Sequence, residues 1–308
     1  MKILSVYPWT HISSSALVID GKLVASSPEE RFNKQKLSTA FPIMSANWCL
    51  KSQKINWDDL DYIVVPWNPA HHIKSASLRW VSSMRWRGEM LSHIPVLSII
   101  HPKNILIIGG GDGAVAEEIV KHKDIVSIDL VEIDKRVIEI SKKYLNSINR
   151  DVFHNKKLNV IINDASVFLN FNKKKYNVII VDRPDDVGVA TSLFSKKFYY
   201  NVSKSLDDEG VAIFQTGVVF FQKNILQETI SILRSIFKYS GVYITTVPSY
   251  AGGFMAISWG SNGVDLEERI SFAKNNPLRK NIKTNYYTSK IHEACFSLPK
   301  FISKTLEI

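Results

Sequence analysis

The stretch NILIIGGGDGAVAEE, residues 104–118, joins an apolar run to a glycine-rich loop and then to a helical pattern. The run is almost continuously apolar, which is typical of a strand buried on both faces. The same alternation of strand and helix continues along the chain. Its further members are strands at 125–134, 158–164, 176–182 and 210–217 and helices at 135–145, 165–171 and 192–206. This order predicts an α/β fold in which helices cover both faces of a parallel sheet.

Upstream of this region, residues 1–72 predict a small α/β unit of their own. Its clearest element is a hairpin in which two apolar runs meet at Asp20-Gly21, the residue pair of a type I′ turn. The prolines of PWNPAHHI, residues 66–73, mark a boundary. We therefore divide the chain into a small unit at 1–72, a basic connecting helix at 73–100 and a main domain at 101–308.

The composition limits the class of protein. The 308 residues carry a formal net charge of +10, but the lysines are spread along the chain and do not indicate a nucleic-acid surface. Cys49 and Cys295 lie far apart and form neither a metal-ligand pattern nor a disulfide framework. The sequence shows no signal peptide and no apolar run of membrane-spanning length. We expect a cytoplasmic protein without bound metal and without membrane or nucleic-acid partners.

Acidic residues recur where the predicted strands end. Asp112 lies in the glycine-rich loop, and Glu132, Asp164 and Asp182 each close a later strand. Because the carboxyl ends of parallel strands form one edge of a sheet, these four carboxylates should line one binding site. Asp164 has an ordinary alternative role as the N-cap of the following helix.

The loop of Gly109, Gly111 and Gly113 leaves room for a ligand against the backbone. It also fits the dinucleotide pattern, so an NAD site is one candidate. The acids in and after this loop disfavour an anionic pyrophosphate and favour a nucleoside with a cationic tail, such as S-adenosylmethionine or its decarboxylated form. In that case Glu132 would bind the ribose hydroxyls, Asp164 the adenine amino group and Asp112 the tail ammonium.

Several motifs resemble the polyamine aminopropyltransferases, the spermidine synthases. The resemblance runs from about residue 84 to the C-terminus and rests on HPKNILIIGGGDG, VEIDKRVIEISKKYL, SLFSKKFYYNVSKSL, VPSYAGG and YYTSKIHEACFSLPKF. It implies a Rossmann-like, methyltransferase-type sheet of seven strands. It also implies transfer of an aminopropyl group from decarboxylated S-adenosylmethionine to a putrescine-like amine, with release of methylthioadenosine, by a homodimer or a higher oligomer.

The resemblance also implies roles for single residues. Asp182 matches the family's proton acceptor, and Asp185 matches a carboxylate that contacts the substrate amine. Tyr250 and Gln215 match positions in or near the substrate pocket, and Glu89 persists from the Y-[H/Q]-E-M motif.

The sequence departs from the family in two motifs. After Asp182, the residues Arg183 and Pro184 replace small residues of the D-S-S/T-D-P-x-G-P motif, and an arginine there could pair with Asp182 and repel a cationic amine. In the Y-[H/Q]-E-M motif, Arg87 replaces the tyrosine and Gly88 replaces the His or Gln. A methyltransferase or a non-catalytic nucleoside-binding module is therefore the alternative function.

The first 70 residues resemble the start of NodU-type carbamoyltransferases, in SSALVIDGKLVAS, EERF and FP. The segment is only a fraction of that family's lobe, so we expect a structural cap or docking surface, with His11 as a packed or surface residue.

Residues 74–95 interleave arginines with Trp80 and Trp86. This pattern fits either a nucleic-acid or membrane surface or, preferably, a helix that packs its tryptophans under the sheet and exposes its arginines.

Overall fold

The computed structural model describes residues 1–7, 12–38, 40–65, 85–186, 188–248, 250, 252–277 and 282–306. The chain divides into two compact units, residues 1–77 and residues 78–308. In the described part of the chain, no helix combines the length and apolar character that crossing a membrane requires.

The small unit contains a sheet in the order β3-β2-β1-β4, with β1 antiparallel to β2 and parallel to β4. Asp20 and Gly21 both have positive φ, at 48° and 78°, as a type I′ turn requires, so the predicted hairpin is confirmed. The elements are β1 (Lys2–Tyr7), β2 (Ser14–Ile19), β3 (Lys22–Pro28), α1 (Glu30–Asn33), α2 (Ile43–Ser52), a 3₁₀ turn (Trp57–Asp59) and β4 (Tyr62–Val64).

The shared EERF and FP motifs of this unit meet at the start of α2. Glu29 is buried, and its two carboxylate oxygens accept the backbone N–H groups of Met44 and Ser45 at 3.1 and 2.7 Å. A carboxylate at a helix N-terminus satisfies amides that have no partner within the helix. Glu29 therefore has a structural role here. His11 lies outside the described residues.

The large unit is built on a sheet in the order β10-β11-β9-β8-β5-β6-β7. Five adjacent strands, β9, β8, β5, β6 and β7, run parallel to one another. β11 runs antiparallel to both β9 and β10. The predicted seven-stranded α/β sheet is confirmed. Its strands are β5 (Asn104–Gly109), β6 (Ser127–Glu132), β7 (Leu158–Ile162), β8 (Tyr176–Asp182), β9 (Leu206–Val218), β10 (Tyr239–Thr246) and β11 (Phe254–Ser261).

Helices pack on both faces of this sheet because its strands are apolar on both sides. In β5, Ile105 and Ile107 belong to one core cluster and Leu106 and Ile108 to the other. The described helices are α3 (residues 85–98), α4 (Ala114–Ile119), α5 (Lys135–Tyr144), α6 (Asn146–Asn149), α7 (Ala165–Phe171), α8 (Lys196–Ser205), α9 (Lys223–Ile236), α10 (Ile270–Asn275), α11 (Ser289–Ala294) and α12 (Lys300–Leu306), with 3₁₀ turns at Val152–His154 and Gly188–Phe194.

Two local predictions need correction. The single helix expected at 192–206 is a 3₁₀ segment followed by α8, because the Ser195 side chain accepts the Phe198 N–H and starts a new helix. The helix α3 is buried from residue 88 onward, and Trp86 stacks on Tyr286 with ring centroids 5.2 Å apart. This part of 74–95 is therefore a core helix, as preferred, but the expectation of exposed arginines is wrong for Arg87, whose side chain is 12% exposed. Lys74, Arg79 and Trp80 lie outside the described residues.

Candidate active site

The site begins where β5 and β8 lie side by side. The chain runs from β5 to β6 and β7 on one side and returns to β8 and β9 on the other, which makes this pair the point where the strand order reverses. Gly109 and Asp182 are register partners at the carboxyl ends of the two strands. Gly109 has φ of 76°, and a Cβ there would lie 2.2 Å from the Asp182 carbonyl oxygen. Only glycine lets the loop after β5 lie this close to β8.

A cleft of about 280 Å³ opens at this edge of the sheet. Gly109 and Gly110 form its floor, while Ile108, Ile133 and Leu193 contribute apolar walls. Three of the predicted acids also line it: Glu132, Asp164 and Asp182. The structure thus brings together residues that are 50 positions apart along the chain, as the strand-end pattern indicates.

Two of these acids also stabilise their own surroundings. Glu132 accepts the Asp134 N–H at 3.0 Å through one oxygen, while its other oxygen lies 2.8 Å from the place where Gly111 would carry a Cβ. Asp164 caps α7 by accepting the Ser166 and Val167 N–H groups at 2.7 and 3.2 Å through Oδ1. The cap uses one oxygen of Asp164, so capping and ligand binding are compatible.

Asp112 takes a different position from the other three acids. Its Oδ1 accepts the Ala114 N–H at 2.9 Å, and its Oδ2 lies 3.6 Å from the Arg87 guanidinium. It lies outside the described lining of the cleft. The cation beside Asp112 in this structure is therefore an arginine of the same chain. The contact of Asp112 with a substrate ammonium remains a prediction.

Asp182 is the most strongly perturbed carboxylate of the site. Its residue surface is 5% exposed, and both side-chain oxygens lie 3.1 Å from a nitrogen of Arg87. Burial raises the pKa of Asp182 to about 6; the charge of Arg87 opposes this rise, and the charges of Asp112 and Glu132 add to it. A carboxylate with such a pKa is ionised at neutral pH and still basic enough to take up a proton.

Arg87 is the residue of the site whose role sequence reasoning missed. Besides Asp182, its guanidinium donates to Gln215 Oε1 at 2.8 Å. Burial lowers the pKa of Arg87, but the charges of Asp182 and Asp112 and an interaction with Tyr250 outweigh this effect, so the pKa is raised. A signal was present in the sequence, because Arg87 stands where the family that the chain resembles carries the tyrosine of the Y-[H/Q]-E-M motif.

Arg183 does not pair with Asp182, so that expectation is wrong. Its guanidinium donates to the carbonyls of Gln215 and Leu193 and to the Tyr199 hydroxyl, and it stacks over Phe194 at 3.5 Å from the ring centroid. The Asp182 side chain meets Arg87, whereas the Arg183 side chain extends toward Tyr199 and the Gln215 backbone. Arg183 instead connects the loop after β8 to α8 and β9.

The remaining predicted residues differ in their surroundings. Gln215 is buried, and its amide also donates to the Arg183 carbonyl at 3.0 Å, while Tyr250 is half-buried beside the core. Asp185 is exposed on the loop after β8. Glu89 is fully buried and accepts three backbone N–H groups, from residues 285, 286 and 287, at 2.7–2.8 Å. This arrangement favours a structural role for Glu89 over the predicted substrate contact.

Comparison with known proteins agrees with this architecture. Residues 84–268 match the family model described as the spermine/spermidine synthase domain. A polyamine aminopropyltransferase of Ruegeria sp. (strain TM1040) is 38% identical over 70% of this chain and 76% of its own length. One of Methanocaldococcus jannaschii is 37% identical over 71% of this chain and 75% of its own length.

Solved structures share the fold. A spermidine synthase in complex with the transition-state analogue AdoDATO has a TM-score of 0.68 and 23% identity, covering 96% of this chain and 84% of its own. The spermidine synthase from Thermotoga maritima has a TM-score of 0.65, also at 23% identity, covering 96% of this chain and 83% of its own. From the matching family model and the extent of identity to its relatives, the chain belongs to the spermine/spermidine synthase family.

Proposed function

We propose that this chain is an aminopropyltransferase that moves the aminopropyl group of decarboxylated S-adenosylmethionine to an amine. The observation that carries the proposal is the buried carboxylate of Asp182, with a pKa of about 6, at the edge of the nucleoside-sized cleft. The aminopropyltransferase names of its relatives support the same reaction.

In this mechanism the acceptor amine enters as an ammonium and must lose a proton before it can attack. Asp182 takes that proton. The nitrogen lone pair then forms a bond to the aminopropyl carbon next to sulfur. The carbon–sulfur bond breaks, and its electron pair neutralises the sulfonium, so that methylthioadenosine leaves as a neutral thioether. The chain itself is unchanged after the proton returns to solvent.

The cleft residues provide nucleoside binding in this scheme. Glu132 accepts hydrogen bonds from the ribose hydroxyls, and Asp164 accepts one from the adenine amino group through the oxygen that does not cap α7. Asp185 lies on the exposed loop after β8 and would meet the amine only at the outer rim. We also propose that the chain is cytoplasmic and forms a homo-oligomer. Its two cysteines are buried and form no disulfide, which supports a reducing compartment such as the cytoplasm.

The test is calorimetric titration with methylthioadenosine, S-adenosylmethionine and its decarboxylated form, followed by an assay of methylthioadenosine release with added amines. The proposal expects the decarboxylated form to bind more tightly than S-adenosylmethionine and to release methylthioadenosine only when an amine is present. Tighter binding of S-adenosylmethionine would favour methyl transfer. Nucleoside binding without release for any amine would reduce the chain to a binding module.

A further inference from the structure

The carboxylate of Asp182 already has a cation beside it. Arg87 contacts both oxygens of Asp182, approaches Asp112 at 3.6 Å and donates to Gln215. Its side chain is only 12% exposed. The two carboxylates that could hold a substrate cation are therefore neutralised from within the chain.

We propose that Arg87 determines the charge of the acceptor, so that this chain uses a primary amine whose remaining part is uncharged or anionic. The inference rests on the proposed aminopropyl transfer and specifies its acceptor. The amine nitrogen itself must reach Asp182, but a second ammonium near Asp182 would meet a guanidinium that stays charged at every accessible pH. A diamine is therefore disfavoured.

Arg87 is fixed in this position by the elements around it. Gln215, which accepts from Arg87, is itself oriented by its hydrogen bond to the Arg183 carbonyl. The helix α3 is anchored through Glu89, two residues further on. At Gly88, a Cβ would lie only 3.2 Å from the Ala114 carbonyl oxygen, so α3 packs closely against the start of α4. Movement of the guanidinium away from Asp182 would break several contacts at once.

The guanidinium also retains a hydrogen-bond donor for a ligand. Among the described residues, Arg87 Nε is buried and has no hydrogen-bond partner. A buried donor without a partner is energetically unfavourable until an acceptor reaches it. A carboxylate, carbonyl or hydroxyl oxygen on the acceptor could pair with this N–H, whereas an ammonium could not.

The experiment tests the full chain with three acceptors of four carbon atoms each: 1,4-diaminobutane, butylamine and 4-aminobutanoate. Methylthioadenosine release gives kcat and KM for each. The wild-type chain is expected to favour the two monoamines over the diamine at least tenfold in kcat/KM. In Arg87→Gln, which removes the charge and keeps hydrogen-bonding groups, this ratio should shift at least tenfold toward the diamine, mainly through a lower KM.

The matched control is Arg150→Gln, the same charge change at a half-exposed arginine that pairs with Glu117. It should leave the ratio unchanged. A wild-type preference for the diamine, or an Arg87→Gln ratio equal to that of the wild type, would overturn the proposal. The wild-type ranking alone decides the matter if Arg87→Gln does not fold.

Failure of the proposed function has a separate signature. If no amine releases methylthioadenosine although the nucleoside binds, aminopropyl transfer is wrong. Calorimetric binding of the same three amines to the methylthioadenosine-loaded chain then still ranks them. Diamine binding that is weaker than monoamine binding in the wild type, and that strengthens in Arg87→Gln, would support the role of Arg87; the reverse order would contradict it.

Discussion

At the scale of single residues, the balance of charges around Asp182 determines how the reaction depends on pH. Asp182 has to be ionised to accept a proton, and its pKa is raised to about 6. We expect kcat/KM to rise with pH through about 6 and then level off. In Arg87→Gln this limb should move to higher pH, because the Arg87 charge lowers the Asp182 pKa. A pH–rate profile of both proteins provides the check, and an unchanged limb in the variant would contradict the assignment.

The same pKa has a consequence for stability. The folded chain holds the Asp182 proton more tightly than the unfolded chain, whose carboxyl titrates near its ordinary value of 3.8. Ionisation of Asp182 therefore lowers the free energy of unfolding as the pH rises from about 4 to 6. This destabilisation disappears when the pH falls below both the folded and the unfolded pKa of Asp182.

A second residue-scale prediction concerns Asp182→Asn. The amide cannot accept the proton, so we expect kcat to fall by about 10²–10⁴-fold, the usual contribution of a general base. Methylthioadenosine should bind with the same Kd, because the cleft walls remain. Asp185→Asn is the comparison, since that exposed side chain should affect at most the KM for the amine. If Asp182→Asn kept full turnover, another group would be the base.

The sequence predicts the acids of the site better than their partners. Glu132, Asp164 and Asp182 are recognisable because each follows a buried strand, and strand ends meet at one edge. The partner of Asp182 could not be found in this way, since Arg87 reaches it from a helix 95 positions away. The adjacent Arg183 was misleading because its guanidinium extends toward Leu193 and Tyr199 and does not contact Asp182.

At the scale of elements, the contact between Glu89 and residues 285–287 holds α3 against the segment that precedes α11. In Glu89→Gln, the amide would place N–H groups opposite backbone N–H groups, and we expect the unfolding free energy to fall by about 3 kcal/mol. For a unit of this size that corresponds to about 6–12 °C in Tm, measured by calorimetry.

Glu293→Gln is a matched control for this prediction. Glu293 is an exposed acid paired with Lys274, and loss of a surface pair of this kind should hardly change the unfolding free energy. The alternative role of Glu89 as a substrate contact has a different signature: a raised KM for the amine with Tm unchanged. That outcome would show that the backbone contacts of Glu89 matter little for the fold.

Element order was predictable from the sequence, but several element boundaries were not. The strands at 158–164 and 125–134 are shorter in the structure, as β7 (Leu158–Ile162) and β6 (Ser127–Glu132), because Asp164 and Asp134 at their predicted ends cap the helices that follow. The interruption at Ser195 depends on one side-chain hydrogen bond, and apolar periodicity does not encode it.

At the scale of the whole molecule, ligand binding should stabilise the folded chain. Methylthioadenosine at 100 times its Kd is expected to add about 2.7 kcal/mol to the unfolding free energy of the large unit, or about 5–11 °C in Tm. Glu132→Gln should lose most of this shift, because its carboxylate lines the cleft and would bind the ribose. Glu139→Gln, an exposed acid paired with Lys135, should keep it. Equal shifts in the two variants would place the nucleoside elsewhere.

The alternation of side chains along β8 limits how far the length of this strand can change. A strand shifted by one residue turns every side chain to the opposite face. A single deletion within residues 176–181 would place the Asp182 carboxylate at the position of Val181, in the apolar cluster that includes Tyr199, and away from Arg87. We therefore expect this segment to tolerate exchanges of side chains far better than changes of length, and viable insertions should fall beyond Asp186, where the loop is free of the register with β5.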